Sequence, residues 1–289
     1  MGKLTSYGIY LAIALGLAFP TGGQFKLLIP LFLAIILFFS FLKLEYSLKH
    51  FLRKELFYYL VIGLIVIPSV VFICTKNLDP NFRLGFFLVA ISPTAIASVI
   101  IVDLIRGNRE LAISSVALYN MISPLTYSLL LRFFFDKTDI VIPVRDIFIK
   151  LIIMIFIPFL IALAVKRFGK IKNKLMESSR YANSISIVLV IAIAVSSASM
   201  NLRELEVREI VILSTFVLIM TAGFFLSGFI LSKDKKINKT LAITFGNKNS
   251  ALATWVALSN FAAPAVIPII LYIIFQNLVS GILIQRYGD

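Results

Sequence analysis

Apolar residues dominate the chain in long blocks, and short polar stretches separate these blocks. There are ten blocks, and each is close to the ~20 residues that a helix needs to cross a ~30 Å hydrocarbon layer. They cover about residues 4–20, 25–42, 57–75, 84–102, 111–131, 147–165, 181–200, 210–231, 240–260 and 263–285. The blocks lack the period-two alternation of outer-membrane strands and are too long for them. The pattern therefore predicts an all-α polytopic membrane protein with ten transmembrane helices.

Composition and charge sharpen this prediction. The 289 residues are 60% hydrophobic with a mean hydropathy of +0.99, too apolar for a soluble domain. The net charge of +14 is typical of nucleic-acid binding, but alternate assignment of the loops puts 18 basic residues on one face and 9 on the other. The richer face takes Lys3, the loop Lys43–Lys54, Arg106, Arg109, the runs Lys166–Arg180 and Lys233–Lys239, and Arg286. The positive-inside rule predicts cytoplasmic termini in a cell membrane, with the lipid bilayer and no nucleic acid as partner.

Lys248 is the basic residue that this assignment leaves inside a block. It lies in the polar patch Gly246–Ser250 of the ninth block. A lysine at the centre of a membrane helix costs roughly 2.5–3.5 kcal/mol. Such residues usually face the interior of a bundle or a water-filled cavity, so Lys248 is a candidate functional residue.

Two helix interruptions suggest an internal duplication. Pro93 removes a backbone donor and is expected to break or kink the fourth helix, and Gly246 with its polar successors is expected to unwind the ninth. After these points Ala95–Ser98 is similar to Ala251–Thr254. Five helices per half give inverted repeats, about 4–131 and 147–285, within a single domain 1–289. Interrupted helices at matching positions of inverted repeats indicate a transporter's binding site.

Four segments carry a resemblance to a known family. Ser92–Ser98, Leu104–Asn108, Ser123–Leu125 and Phe245–Ala253 resemble motifs of the bile acid:sodium symporter family. The resemblance implies a panel and a core domain, with helices four and nine crossing at their broken centres. We expect the substrate and ion site to involve Thr94, Ser98, Thr244, Asn247, Lys248 and Asn249, with Asn120 either in the site or in helix packing.

The chain departs from this family where sodium would bind. The resemblance implies a glutamate at Thr244, a glutamine at Lys248, an asparagine at Val99, and serine or threonine ligands at Ala112 and Val116. All fourteen Asp and Glu residues lie in loops or at the ends of blocks, and Asp103 comes closest to the membrane. One cysteine, Cys74, and one histidine, His50, exclude a Cys/His metal cluster. We therefore expect no cofactor and no two-sodium coupling, although Na⁺ is not excluded.

The leading hypothesis is a secondary carrier for a small or amphipathic organic anion. Lys248 could replace a lost sodium ion, release a proton for coupling, bind the anion, or serve as a fixed structural cation. An auxin-carrier-like efflux or facilitative permease, a channel and a non-transporting receptor are alternatives, and no oligomeric state is predicted. An intramembrane enzyme is not expected, because a dyad of Lys248 with Ser250 or Thr244 has no supporting motif.

Overall fold

The chain is almost entirely helical, with short connections between the helices. The computed structural model describes residues 3–43, 54–136, 138 and 140–288. The helices are α1 (Lys3–Ala18), α2 (Ile29–Lys43), α3 (Lys54–Val61), α4 (Ile67–Cys74), α5 (Pro80–Ile91), α6 (Ser98–Leu104), α7 (Arg109–Phe135), α8 (Val144–Lys166), α9 (Gly169–Glu204), α10 (Val207–Phe229), α11 (Lys235–Gly246), α12 (Ser250–Asn260) and α13 (Ile267–Tyr287). Short 3₁₀ turns at Gly22–Leu28 and Ala263–Val266 precede α2 and α13, and a π turn at Ile62–Val66 joins α3 to α4. The predicted loop that contains His50 lies outside the described residues.

The length and hydropathy of these helices identify an integral membrane protein. Among the described residues, six helical segments are long and apolar enough to cross a membrane. They are Gly22–Lys43, Lys54–Cys74, Val144–Lys166, Tyr181–Glu204, Val207–Phe229 and Ala263–Tyr287. The fourth and ninth predicted blocks are each divided into two shorter helices, α5 with α6 and α11 with α12. The prediction of an all-α polytopic membrane protein is therefore confirmed.

One predicted connection is helical instead. The basic run Lys166–Arg180 was expected to be a loop, but α9 begins at Gly169 and continues through the run into the seventh apolar block. The run between Lys170 and Arg180 contains neither Gly nor Pro. It does contain Lys, Glu, Leu and Met, which all favour a helix although Lys and Glu are charged. Charge therefore marked the end of the apolar segment and not the end of the helix.

The helices pack in two groups. The four-helix group consists of α1, α2, α8 and α9, in which α9 packs along both α1 and α2. The α1–α9 contact is close: a Cβ at Gly16 would lie 2.8 Å from the Cβ of Val195. The remaining helices form the second group, in which α10 packs against α11 and α13, and α5 packs against α4 and α13. The two groups meet along α7 and α8 and where α9 and α2 face α12.

The turn between α6 and α7 is fixed to α11. Arg106 adopts the left-handed conformation with φ 55°, which lets the Gly107 N–H donate back to the Val102 carbonyl at 2.8 Å. Asn108 then caps α7 by accepting from the Leu111 N–H at 3.0 Å. Its own N–H donates to Thr240 Oγ1 at 2.6 Å, so the turn and α11 are joined directly.

Candidate functional site

The break between α5 and α6 follows from Pro93. The residue before it, Ser92, is already extended (φ −61°, ψ 139°), as expected for a residue that precedes proline. The Ser92 hydroxyl donates to the Leu88 carbonyl at 2.7 Å and lies 2.6 Å from the Tyr127 hydroxyl. The chain does not resume a helix until Ser98, so carbonyls in the last turn of α5, including that of Ala90, have no helical partner.

The break between α11 and α12 is shorter. Gly246 ends α11, and the ring of Phe225 occupies the space where a Cβ at this position would lie. The freed Gly246 carbonyl accepts from the Tyr272 hydroxyl at 2.6 Å. Asn249 caps α12 by accepting from the Leu252 N–H at 3.2 Å.

The two breaks pair with each other through their backbones. The Asn249 N–H donates to the Pro93 carbonyl at 2.7 Å, and the Ala95 N–H donates to the Asn247 carbonyl at 2.8 Å. Thr94 therefore lies directly opposite Lys248 in a short antiparallel bridge. We call this pair of breaks, residues 92–97 and 247–249, the crossing. Each break satisfies backbone groups that the other has freed, as irregular backbone away from water requires.

Three of the predicted site residues lie in the frame of the crossing and not on an open surface. Thr94, Thr244 and Asn120 are fully buried. Thr94 Oγ1 donates to the Thr244 carbonyl at 2.7 Å, and the Tyr59 hydroxyl contacts both Thr94 Oγ1 and, at 3.2 Å, the same carbonyl. Asn120 Nδ2 donates to the Thr94 carbonyl at 3.0 Å. These side chains hold the breaks in position.

Lys248 is buried with its ammonium directed at the end of α5. Only 1% of the residue is exposed, and Nζ donates to the Ala90 carbonyl at 3.1 Å. The ring centroids of Tyr119 and Phe224 each lie 5.4 Å from Nζ. The carbonyl end of a helix and aromatic faces both favour a cation. Within the described chain no carboxylate is within ion-pair distance of Lys248, so these groups are what stabilises its charge.

A cavity of about 710 Å³ lies beside the crossing, between the two helix groups. Asn247, Lys248, Asn249 and Ser250 contribute to its inner wall, and it extends to the ends of α2 and α6 at Lys43 and Asp103. Thr94, Ser98, Thr244 and Asn120 are not among its lining residues. Although Lys248 forms part of the wall, its ammonium is held by Ala90, so the atom that carries the charge is not presented to the cavity.

Nearly the whole chain also matches a known family of membrane proteins. The model of the SBF-like CPA transporter family matches residues 6–289. The chain belongs to this transporter family. It is 26% identical to the Bacillus subtilis protein named uncharacterized sodium-dependent transporter YocS, over 98% of this chain and 90% of the relative. It is also 26% identical to the Pseudomonas aeruginosa protein PA2026, over 79% of this chain and 71% of the relative. Membership points to a membrane transporter of a small molecule and away from an enzyme.

The hydroxyls of Ser250 and Thr244 bond to groups other than the Lys248 ammonium. The Ser250 hydroxyl donates to the Lys248 carbonyl at 3.4 Å and accepts from Gln276 Nε2 at 3.1 Å. The Thr244 hydroxyl donates to the Leu241 carbonyl at 3.2 Å. Each hydroxyl therefore bonds to backbone or amide groups, while the Lys248 ammonium is bonded to Ala90.

Sodium ligands are scarce around the crossing of this family member. Ala112 and Val116, at positions where the symporter resemblance implies oxygen ligands, are buried and apolar. The carbonyls of Pro93, Thr244 and Asn247 already accept hydrogen bonds. Asn120 Oδ1 and Ser115 Oγ are buried oxygens without a partner in the described chain. A sodium ion needs several more oxygen ligands than these two. The residues present do not fit the two-sodium site that the resemblance implies.

The sequence interpretation missed several residues that complete the site. Gln276 Oε1 accepts from the Lys248 N–H at 3.1 Å, and Tyr272 holds the Gly246 carbonyl. These two residues are four apart in the last apolar block, a spacing that places polar groups on one helix face and was a usable signal. Asn183 and Ser184, near the start of the seventh apolar block, also line the cavity.

Proposed function

We propose that the chain is a secondary carrier for a small or amphipathic organic anion that works by alternating access. The cavity between the two helix groups supports this proposal, because relative movement of the groups would expose it to one side of the membrane and then to the other. Its wall combines apolar side chains with the amides of Asn183, Asn247 and Asn249. Such a lining suits a ligand with an apolar body and few polar groups.

We further propose ten membrane spans in two inverted repeats, about 4–131 and 147–285, with both termini in the cytoplasm. The helix groups support this arrangement, because the four-helix group contains the first and second spans of each proposed repeat. These helices would form the panel, and the other group the core. The exchange of equivalent backbone hydrogen bonds between the breaks is also what a two-fold relation would produce.

Lys248 is proposed to stand in for a coupling cation at the crossing. The observation that carries this proposal is the bond from its buried ammonium to the freed Ala90 carbonyl. Helix-end carbonyls and unwound backbone coordinate cations in transporters with broken helices. A direct contact between Lys248 and the transported anion is less well supported, because the ammonium is enclosed by Ala90, Tyr119 and Phe224.

The proposal predicts transport without sodium, whereas the Bacillus subtilis relative YocS is named a sodium-dependent transporter. Counterflow of labelled benzoate, butyrate and taurocholate into proteoliposomes tests it, with and without Na⁺ and with a pH gradient. Wild type should move at least one of these anions at an equal rate in Na⁺ and K⁺. Lys248→Glu should abolish counterflow, because it places a carboxylate against the Ala90 carbonyl. Lys170→Glu, which reverses an exposed charge on α9, is the matched control and should retain transport.

Three other outcomes would revise the proposal. An absolute requirement for Na⁺ would show that other oxygens bind the ion and that Lys248 does not replace it. Transport that follows only the anion's own gradient would favour an auxin-carrier-like facilitative permease. Binding of an anion without counterflow would favour a non-transporting receptor.

A further inference from the structure

The cavity contains four ionisable residues among those described, and three of them have their charge engaged. They are Lys43, Asp103, Arg109 and Lys248. Lys248 Nζ is bonded to the Ala90 carbonyl and enclosed by aromatic rings. Arg109 Nη1 lies 3.1 Å from Asp103 Oδ2, so these two charges cancel at the end of α6. The remaining charge belongs to Lys43.

Lys43 is positioned to present its charge to a ligand. It is the last described residue of α2 and is half-buried. Among the described residues, no carboxylate lies within ion-pair distance of it. The Asp103 carboxylate in the same cavity is paired with Arg109. It shares one face of α2 with Ile36, Leu37 and Ser40, which also line the cavity.

The rest of the lining suits the apolar body of such a ligand. Ile187 and Ile191 of α9 line the cavity beside this face of α2, with Asn183 and Ser184 one turn closer to the start of α9. At the inner end, Asn249 Oδ1 is used to cap α12, which leaves its Nδ2 as the group that could donate to a ligand. The arrangement offers a cation at one end, an apolar middle and an amide at the other end.

We propose that Lys43, and not Lys248, is the cation that recognises the anionic group of the substrate, which is an amphipathic monoanion with a carboxylate or sulfonate. The inference rests on the proposed function as an anion carrier. The anionic group lies at Lys43, and the apolar body lies along the wall that α2 and α9 form together, facing the crossing. Lys43 thus determines specificity for charge, while Lys248 maintains the crossing.

Charged thiol reagents test the field of Lys43 without any transport assay. In a Cys74→Ser background, Asn183→Cys places a thiol in the cavity wall. A sulfonate-bearing methanethiosulfonate should react with it faster than a trimethylammonium-bearing reagent of similar size. Lys43→Met should lower this ratio of rates by about tenfold, because a unit charge in the wall of the same partly enclosed cavity is screened less than one in bulk water. Lys43→Arg should keep the ratio. The control Lys170→Met, at the exposed start of α9, should change it by less than about twofold because salt screens that charge. An unchanged ratio in Lys43→Met would overturn the inference.

Counterflow of benzoate and taurocholate separates this inference from the proposed function. Lys43→Met should raise KM by about tenfold for whichever of these anions wild type transports. If wild type transports an anion and Lys43→Met leaves KM unchanged, the role of Lys43 is wrong and the carrier function stands. If wild type transports none of benzoate, butyrate and taurocholate, but benzoate or taurocholate removes a reagent preference that depends on Lys43, then Lys43 binds anions and the carrier function is wrong.

The lipid composition identifies the occupant. In phosphatidylcholine vesicles, benzoate or taurocholate should slow the sulfonate reagent in wild type and not in Lys43→Met. If phosphatidylglycerol removes the reagent preference and neither organic anion does so, Lys43 binds a lipid headgroup and the substrate assignment is overturned.

Discussion

At the scale of single residues, hydrogen bonding separates buried polar groups that maintain the crossing from those that do not. Asn120 and Ser115 lie on the same helix and are both fully buried. Asn120 Nδ2 donates to the carbonyls of Thr94 and Val116, whereas Ser115 Oγ has no partner among the described residues. The two side chains should therefore respond differently to truncation.

Asn120→Leu should destabilise the protein by about 1–3 kcal/mol, because it leaves the Thr94 carbonyl buried without a donor. Ser115→Ala should be neutral or slightly stabilising, because it removes a hydroxyl that makes no bond. The midpoint of thermal unfolding in detergent measures both. Equal losses in the two variants would contradict this assignment of Asn120.

The family's ligand pattern gives a second prediction at this scale. Thr244→Glu combined with Lys248→Gln restores the carboxylate and amide that the resemblance implies at these positions. The double variant should be stabilised by Na⁺ relative to K⁺ at equal ionic strength, because hard oxygen ligands replace the ammonium that competes with the ion. The measurement is the shift of the thermal midpoint with Na⁺ concentration.

Two comparisons make this experiment decisive. Thr244→Glu alone should show no Na⁺ dependence, because the new carboxylate would lie four residues from Lys248 and its negative charge would be offset by the positive charge of Lys248. Wild type should show none either. A Na⁺ shift in wild type as large as that in the double variant would contradict the view that Lys248 replaces the ion.

The residue pattern predicted which positions matter better than it predicted their roles. Lys248 was identified because a charge inside an apolar block is costly. The direction of its side chain depends on the pairing of Thr94 with Lys248, which brings the end of α5 within reach of Nζ. That pairing joins segments more than 150 residues apart, so no local pattern shows it.

At the scale of helices, the positions of the breaks were readable but their lengths were not. Pro93 and Gly246 lie where α5 and α11 end or have just ended. The first break continues to Ser98 and the second only to Ser250, because Asn249 caps α12 at once whereas α6 has no side-chain cap. The resumption of a helix thus depends on which side chains find a backbone donor, and this is decided by the folded structure.

A hydrogen bond between α8 and α12 joins the two helix groups at the end of the cavity that is opposite to Lys43. Lys150 Nζ of α8 donates to Asn260 Oδ1 at the end of α12 at 2.9 Å. This bond joins the four-helix group to the second group beyond the inner end of the cavity. If the groups move during transport, the bond must break in each cycle.

Cross-linking these two positions should therefore stop transport. In a Cys74→Ser background, Lys150→Cys with Asn260→Cys should lose counterflow when treated with a short bifunctional thiol reagent, and a reducible reagent should allow recovery on reduction. Each single cysteine variant is the control for modification alone and should remain active. Full activity after complete cross-linking would exclude separation of the groups at this contact.

At the scale of the whole molecule, the sequence predicted the membrane class and a sidedness, but not the cavity. The membrane class follows from the length of the apolar blocks, and the sidedness follows from the distribution of 18 against 9 basic residues. Neither property depends on how individual side chains are oriented. The cavity depends on which faces of α2 and α9 are turned toward the crossing. Since these helices are apolar on most faces, the periodicity of their sequences leaves that orientation open.

The proposed topology and the open side of the cavity are tested together by thiol sidedness. Val141 and Phe168 lie in consecutive connections, before α8 and after it, and are 85% and 59% exposed. The proposed topology places Val141→Cys outside and Phe168→Cys in the cytoplasm. In the Cys74→Ser background, a membrane-impermeant maleimide should label Val141→Cys in right-side-out vesicles and Phe168→Cys only in inside-out vesicles.

Asn183→Cys, which lines the cavity, should be labelled from the same side as Phe168→Cys, because the cavity extends toward the ends of α2 and α6 at Lys43 and Asp103. Labelling of Asn183→Cys from the outside alone would place the opening on the other face, and reversed labelling of the two connection variants would invert the topology and with it the positive-inside assignment.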